Sequence, residues 1–228
     1  GSLSHDRVWC ILEDSDGYLW TGTYGGGLNL LDTQTGRFTQ YRHNPDDPYS
    51  LSSDLVIALY EDNFGRLWIA TGNGLNWLQK ETGRFFHYKH VPGDSTSISH
   101  SRIYSLLEDE EGQLWIGTKG GLNLFDRQTE TFTHFTSQTH DFPNNVIMGL
   151  LEDASQNLWV STNRGLSRFN KNTEEIRNFD IRDKLQSNEF LVGAYHKTRS
   201  GKMLFGGING FNAFYPEKIQ NNPNIPEM

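Results

Sequence analysis

Apolar residues in this chain fall in short runs, not in a helical stripe. In the clearest stretch, residues 55–61 are almost continuously apolar and a break follows at 62–65. Residues 67–71 are apolar again, a turn at 72–74 leads to 75–78, and after a break at 81–83 residues 85–88 alternate. Four β-rich runs bounded by Gly, Asn and Asp read as consecutive antiparallel hairpins, a four-stranded meander. No segment of useful length keeps a 3.6-residue period, which excludes helical solenoids.

The meander repeats. A Leu-Trp pair recurs as Leu19-Trp20, Leu67-Trp68, Leu114-Trp115 and Leu158-Trp159, with a degenerate Met203-Leu204, at gaps of 48, 47, 44 and 45 residues. The turn chemistry keeps the same period. Asp14, Asp62 and Asp109 stand three residues before Gly17, Gly65 and Gly112, so each turn has a capping carboxylate and a residue free to take positive φ. In the fourth unit Asp153 keeps the cap and Asn157 is expected in the left-handed region. Gly36 and Gly83 serve the last hairpin of the first two units, and Glu130 and Glu174 replace them later.

The first run of each unit, such as 103–107 or 146–151, is nearly all apolar, whereas the fourth, such as 38–41 or 132–135, alternates. A strand buried on both sides reads as a run and an edge strand reads as alternation, so each meander runs from the centre outwards. Units of ~45 residues with the innermost strand first are blades of a β-propeller. The expected fold is all-β, with about five blades near 8–42, 55–89, 102–136, 145–180 and 190–215, and a Pro-rich tail over 216–228. The fifth unit lacks a good fourth strand, since Pro216, Pro223 and Pro226 interrupt the tail and too few residues precede Val8 to donate one. An incomplete ring is expected. At this period seven blades need about 322 residues, roughly 94 more than the chain has. Exposed blade faces should then promote self-association.

The residues in these columns resemble the two-component regulator propeller repeat. The resemblance rests on Glu61-Asp62, Gly65, Leu67-Trp68 and Thr71 followed by Gly74 and Asn76. It rests equally on Glu108-Asp109 through Asn123, on Glu13-Asp14 to Asn29 with one extra glycine, and on a fourth copy ending at Gly165 to Ser167. Residues 205–211 and 214–216 resemble the family's closing blade, which precedes a small β-sandwich linker domain. The resemblance implies the extracytoplasmic, periplasmic sensor region of a bacterial transmembrane receptor, with a histidine kinase or diguanylate cyclase as output. It also implies a carbohydrate fragment as ligand. The chain stops at Met228 without linker, membrane helix or output domain, and Gly1-Ser2 reads as the start of a cut segment.

Composition narrows the partners. Twenty Lys+Arg against 28 Asp+Glu give a net charge of -8, and no basic stretch could neutralise a phosphate backbone, which argues against nucleic acid. Cys10 is alone, so an intramolecular disulfide and a thiolate metal cluster are excluded and the compartment stays open. No apolar run approaches the ~18 residues of a membrane helix, and no secretory signal opens the chain.

Candidate chemistry lies on one face. In a propeller the fourth-to-first connections and the second-to-third turns share the face around the axis, and loops on a rigid scaffold are where binding residues concentrate. The first set supplies His5, Arg7, Asp54, His100, Arg102, Asn145 and Asn188, and the second supplies Tyr24, Asn73, Lys119, Arg164 and Asn209. Each Ser, Asn and Asp there also reads as a cap on the entry to an inner strand. The recurrence of His5 and Arg7 as His100 and Arg102 fits either function or inherited repeat structure. Lys119, Arg164 and Trp77 vary within otherwise regular columns.

Catalytic readings are weaker. The Glu-Asp pairs point to opposite faces of a strand, with the Asp a turn cap on the far rim. The tryptophans read as packing between blades and not as a sugar platform. The eight histidines form no metal-ligand spacing, residues 25–27 precede no helix, and no Gly-x-Ser-x-Gly occurs. No cofactor, metal or catalytic residue is expected. The expected function is non-catalytic sensing of a small polar or glycan ligand. A protein-interaction scaffold is the alternative, and a propeller lyase or glycosidase ranks below both.

Overall fold

The computed structural model describes residues 2–219; the part of the expected tail beyond Ile219 lies outside the described residues. The first blade comprises β1 Val8–Glu13, β2 Leu19–Thr23, β3 Leu28–Asp32 and β4 Arg37–Tyr41. The second comprises β5 Val56–Glu61, β6 Leu67–Thr71, β7 Gly74–Gln79 and β8 Arg84–Tyr88. The third comprises β9 Ile103–Glu108, β10 Leu114–Thr118, β11 Leu122–Asp126 and β12 Thr131–Phe135. The fourth comprises β13 Ile147–Glu152, β14 Asn157–Thr162, β15 Gly165–Asn170 and β16 Ile176–Phe179. The fifth has three strands, β17 Phe190–Lys197, β18 Met203–Gly207 and β19 Gly210–Phe214. Every sheet is an antiparallel meander in chain order. The protein is a β-propeller of five blades, with adjacent first strands β1, β5, β9, β13 and β17 packed side by side.

The core lies between blades. Trp20, Leu28 and Val56 pack with Leu67, Ile69 and Phe85 between the first and second. Trp68 and Leu75 meet Leu114, Ile116 and Phe125 between the second and third. Trp115 meets Leu158, Val160 and Phe169, and Trp159 meets Met203 and Phe205, at the next two interfaces. Trp68, Trp115 and Trp159 are at most 2% exposed, so the tryptophan column packs between blades. Glycine is needed where one blade's first strand approaches its neighbour's second. A Cβ on Gly117 would stand 2.8 Å from Ile147 Cγ2, and one on Gly22 would overlap Val56.

The turns follow the sequence reading with one correction. Gly17, Gly65 and Gly112 have positive φ, but in the fourth blade the left-handed residue is Gln156, at φ 61°. Asn157 instead opens β14 and donates its amide to Asp153. Glu130 and Glu174 take φ of 56° and 58° in the positions held by Gly36 and Gly83.

Each capping Asp has a second task. Asp62 Oδ1 accepts the N–H groups of Phe64 and Arg66, while Oδ2 accepts Trp68 Nε1 at 2.8 Å. Trp20, Trp115 and Trp159 make the same bond to Asp14, Asp109 and Asp153. A cation from the next blade then joins the Asp to a Glu on that blade's own first strand. Lys80 bridges Asp14 and Glu61, Arg127 bridges Asp62 and Glu108, and Lys171 bridges Asp109 and Glu152, at 2.7–3.2 Å. The other Glu oxygen accepts a backbone N–H of the preceding blade, as Glu108 does from Asn63. The two members of Glu61-Asp62 and of Glu108-Asp109 thus serve different interfaces.

These staples give the fold an acid limit. Burial pushes the carboxyls of Asp14, Asp62 and Asp109 up, but bonds from the indole, the cation and backbone N–H groups outweigh it and hold all three below the usual Asp value. A depressed folded pKa stabilises above the unfolded value and loses that contribution as protons bind, so stability should fall as pH drops below about 4. Urea midpoints should be flat from about pH 7 to 5 and decline by about pH 3. An unchanged midpoint at that pH would contradict the staple account.

The staple stops at both ends. The first blade carries Thr33 where Lys80, Arg127 and Lys171 stand, and the fifth carries Thr198 and Leu204 where Asp153 and Trp159 stand. No strand of the first blade joins the fifth blade's sheet. Trp9 and Ile11 on β1 are 51% and 63% exposed, and Phe211 on β19 is 64% exposed.

Candidate functional site

The two loop sets interlock on one face. Tyr24 N–H donates to Arg7 O, Gly72 N–H to Leu55 O, Lys119 N–H to Arg102 O and Gly165 N–H to Asn188 O, at 2.7–3.1 Å. Each second-to-third turn is therefore tied to the entry of an inner strand. Thr71, Thr118 and Thr162 hold these turns from below, each hydroxyl donating to a glycine carbonyl and accepting an N–H from the turn.

Five of the twelve candidate side chains are caps. His5 Nδ1 accepts Arg7 N–H at 3.0 Å and His100 Nδ1 accepts Arg102 N–H at 2.8 Å. Ser53, Asn144 and Ser187 make the same bond two residues ahead. The imidazoles therefore occupy a structural column in which other blades use Ser or Asn. Burial, followed by Lys119, His90 and Arg102, holds the His100 pKa below the ordinary His value, in keeping with a neutral ring whose Nδ1 accepts. A second column closes the connections: Asp54 Oδ1 accepts His43 N–H, Asn145 Oδ1 accepts Ser137 N–H and Asn188 Oδ1 accepts Ile181 N–H.

The remaining candidates are different. Arg7, Lys119 and Arg164 are exposed, Arg102 is half-buried, and none of the four forms an ion pair in the described residues. Arg7 lies over the Tyr24 ring at 5.6 Å, and Trp9 meets that ring edge-on at 5.1 Å, so the first blade presents a cation and two aromatics together. Asn73 and Asn209 are exposed at their turn tips, and Asn209 N–H donates to Gln186 Oε1. The contrast with the opposite rim is sharp: there Lys80, Arg127 and Lys171 are each shared between carboxylates. On a chain of net charge -8, the rim that carries the candidates presents four cations without an ion pair among the described residues.

Nucleophiles and metal sites do not add to this face. Cys10 packs against Gly22, and burial pushes its thiol up to about 12, so it stays protonated at neutral pH. Among the described residues no group of three or more His, Cys, Asp or Glu is placed to hold a metal ion, and no helix is long and apolar enough to cross a membrane.

Residues 2–25, 50–73, 97–120 and 141–164 match the model of the two component regulator propeller. Each matched stretch runs from the connection through the capping Asp and the Trp to the second-to-third turn, so it contains the Asp-Trp contact and the rim columns, while Lys80, Arg127 and Lys171 lie outside. The chain carries four copies of the two component regulator propeller repeat. A 64-residue stretch is 32% identical to Histidine kinase P4 of Formosa agariphila, covering 28% of this chain and 5% of that protein.

The fold matches the extracellular domain of the hybrid two component system BT4673 from B. thetaiotaomicron, with a TM-score of 0.78 at 24% identity over 93% of this chain and 30% of that one. The extracellular domain of BT3049 from the same organism gives 0.64 at 23% identity, over 99% and 36%. Virginiamycin B lyase from Staphylococcus aureus gives 0.65 at 16% identity, over 91% and 69%. These likenesses are of fold, and this propeller spans roughly a third of the length of the B. thetaiotaomicron structures.

Sequence reasoning missed the stapling cations. Lys80, Arg127 and Lys171 recur at gaps of 47 and 44, the same spacing as the tryptophans they neighbour, and that period is the signal that finds them.

Proposed function

We propose that this two component regulator propeller is a non-catalytic sensing module of a bacterial transmembrane receptor, working in the periplasm. It binds a small polar or carbohydrate ligand on the face that carries Arg7, Tyr24, Arg102, Lys119 and Arg164. The observation that carries the reading is that these cations form no ion pair, whereas Lys80, Arg127 and Lys171 on the opposite rim are each shared between carboxylates. The Arg7 guanidinium beside an exposed tyrosine and tryptophan offers hydrogen bonds and a stacking face together, which suits a sugar ring. Ligand binding would shift blade packing, and linker and output domains of the same receptor would read that shift.

Titration calorimetry against neutral and acidic mono- and disaccharides tests this. Saturable binding of at least one sugar is expected, weakened at least about tenfold in the Arg7→Gln/Arg102→Gln double variant, a loss of about 1.4 kcal/mol. Binding that ignores both substitutions overturns the site, and no saturable heat from any sugar overturns the ligand class.

A second reading rests on the exposed Trp9 and Ile11 of the first blade and Phe211 of the fifth, namely pairing with another copy through these faces. Sedimentation that gives a monomer at all concentrations removes it.

A further inference from the structure

Charge is not spread evenly around the axial face. Directly after the capping residue, the first two blades carry Asp6 and Asp54, and the fifth carries Glu189 in the column where the third has Arg102. The third blade has Ser101 in the place of Asp54. That exchange keeps the local bond, since Ser101 Oγ accepts His90 N–H at 3.0 Å as Asp54 Oδ1 accepts His43 N–H at 2.8 Å. It removes the negative charge.

Three donors share that part of the rim. Lys119 N–H donates to Arg102 O at 3.1 Å, and the next residue of the turn, Gly120, lies so close that a Cβ on it would stand 2.9 Å from His100 Cβ. The turn therefore sits on the cap. After burial, the charges that lower the His100 pKa are those of Lys119, His90 and Arg102, with no carboxylate among them. His100 Nδ1 accepts Arg102 N–H, so the neutral ring carries its proton on Nε2, which forms no hydrogen bond among the described residues. Neither Arg102 nor Lys119 forms an ion pair there. The first blade repeats only part of this arrangement: Asp6 lies between His5 and Arg7, and Tyr24 takes the place of Lys119.

We propose that the third blade's rim is the acid-binding part of the sensing face, where His100 Nε2–H, Arg102 and Lys119 hold the carboxylate or sulfate of an acidic saccharide. The inference rests on the sugar reading given above and narrows it to charged sugars. Hydrogen bonds from a guanidinium or ammonium group to an oxyanion are about twice as strong as neutral ones. Among the described residues no carboxylate of the protein pairs with either cation.

Calorimetry at matched ionic strength with galacturonate, galactose 6-sulfate and galactose tests the proposal and distinguishes the two acidic groups. At least one acid is expected to bind at least about tenfold more tightly than galactose. Arg102→Gln/Lys119→Gln should bring acid and galactose within about threefold of each other. Ser101→Asp, which installs the second blade's carboxylate and leaves all three donors in place, should also lose the preference. Ser101→Asn, the fourth blade's residue, should keep it, and unchanged urea midpoints would show that the variants are folded. Galactose bound as tightly as both acids, or a preference that survives either Arg102→Gln/Lys119→Gln or Ser101→Asp, would overturn this proposal and leave the sugar reading standing. No saturable heat from any of the three would overturn both.

Discussion

Replacing Lys171 with Met lowers the unfolding free energy by about 3–5 kcal/mol, the range for removing one partner of a buried ion pair. Lys171 Nζ stands 2.7 Å from both Asp109 and Glu152, with side-chain exposures of 4%, 0% and 6% respectively. Without the cation two buried carboxylates face each other across the interface of the third and fourth blades. Lys80→Met should cost visibly less, because Lys80 is 25% exposed and one of its partners, Asp16, is 61% exposed. Urea midpoints of the two variants measure the difference. Equal losses would mean that burial does not set the strength of the staple.

Trp115→Ala should cost a similar ~3–5 kcal/mol, the range for emptying a buried aromatic site. The indole fills the space between Leu158, Val160 and Phe169 and donates to Asp109 Oδ2 at 2.8 Å. Trp115→Phe separates the two contributions. It keeps most of the packing and removes the donor, so it should cost about 1–3 kcal/mol. Leu204 holds the same column position in the fifth blade, and Leu204→Ala should cost less than either, since no blade packs beyond it in the described structure. A Trp115→Ala loss no greater than that of Leu204→Ala would contradict packing between blades as the source of stability.

The blades were readable in the sequence because their determinants are local. A capping Asp and a residue of positive φ lie within a single turn, and the alternation of β4 against the apolar run of β5 needs no knowledge of partners. The staples were not readable, since Lys80 meets Asp14 across 66 residues and only the arrangement of blades brings them together. β1 illustrates the converse. Its run of apolar residues reads as a buried strand, yet Trp9 and Ile11 are exposed because no blade stands against that face in the described residues.

The candidate site was half legible. Recurrence drew attention equally to His5 and Arg7, but the same recurrence arises when Nδ1 substitutes for a Ser or Asn oxygen in a cap. Only hydrogen-bond geometry separates the capping imidazole from the uncommitted guanidinium beside it.

The central structural claim is that the first four sheets are held face to face by a carboxylate and cation contributed from opposite sides of each of their three interfaces. A double-mutant cycle between Asp109→Asn and Lys171→Met measures it most directly. Coupling of at least about 1.5 kcal/mol is expected for contacting buried partners. Strictly additive losses would show that these two blades do not meet as described.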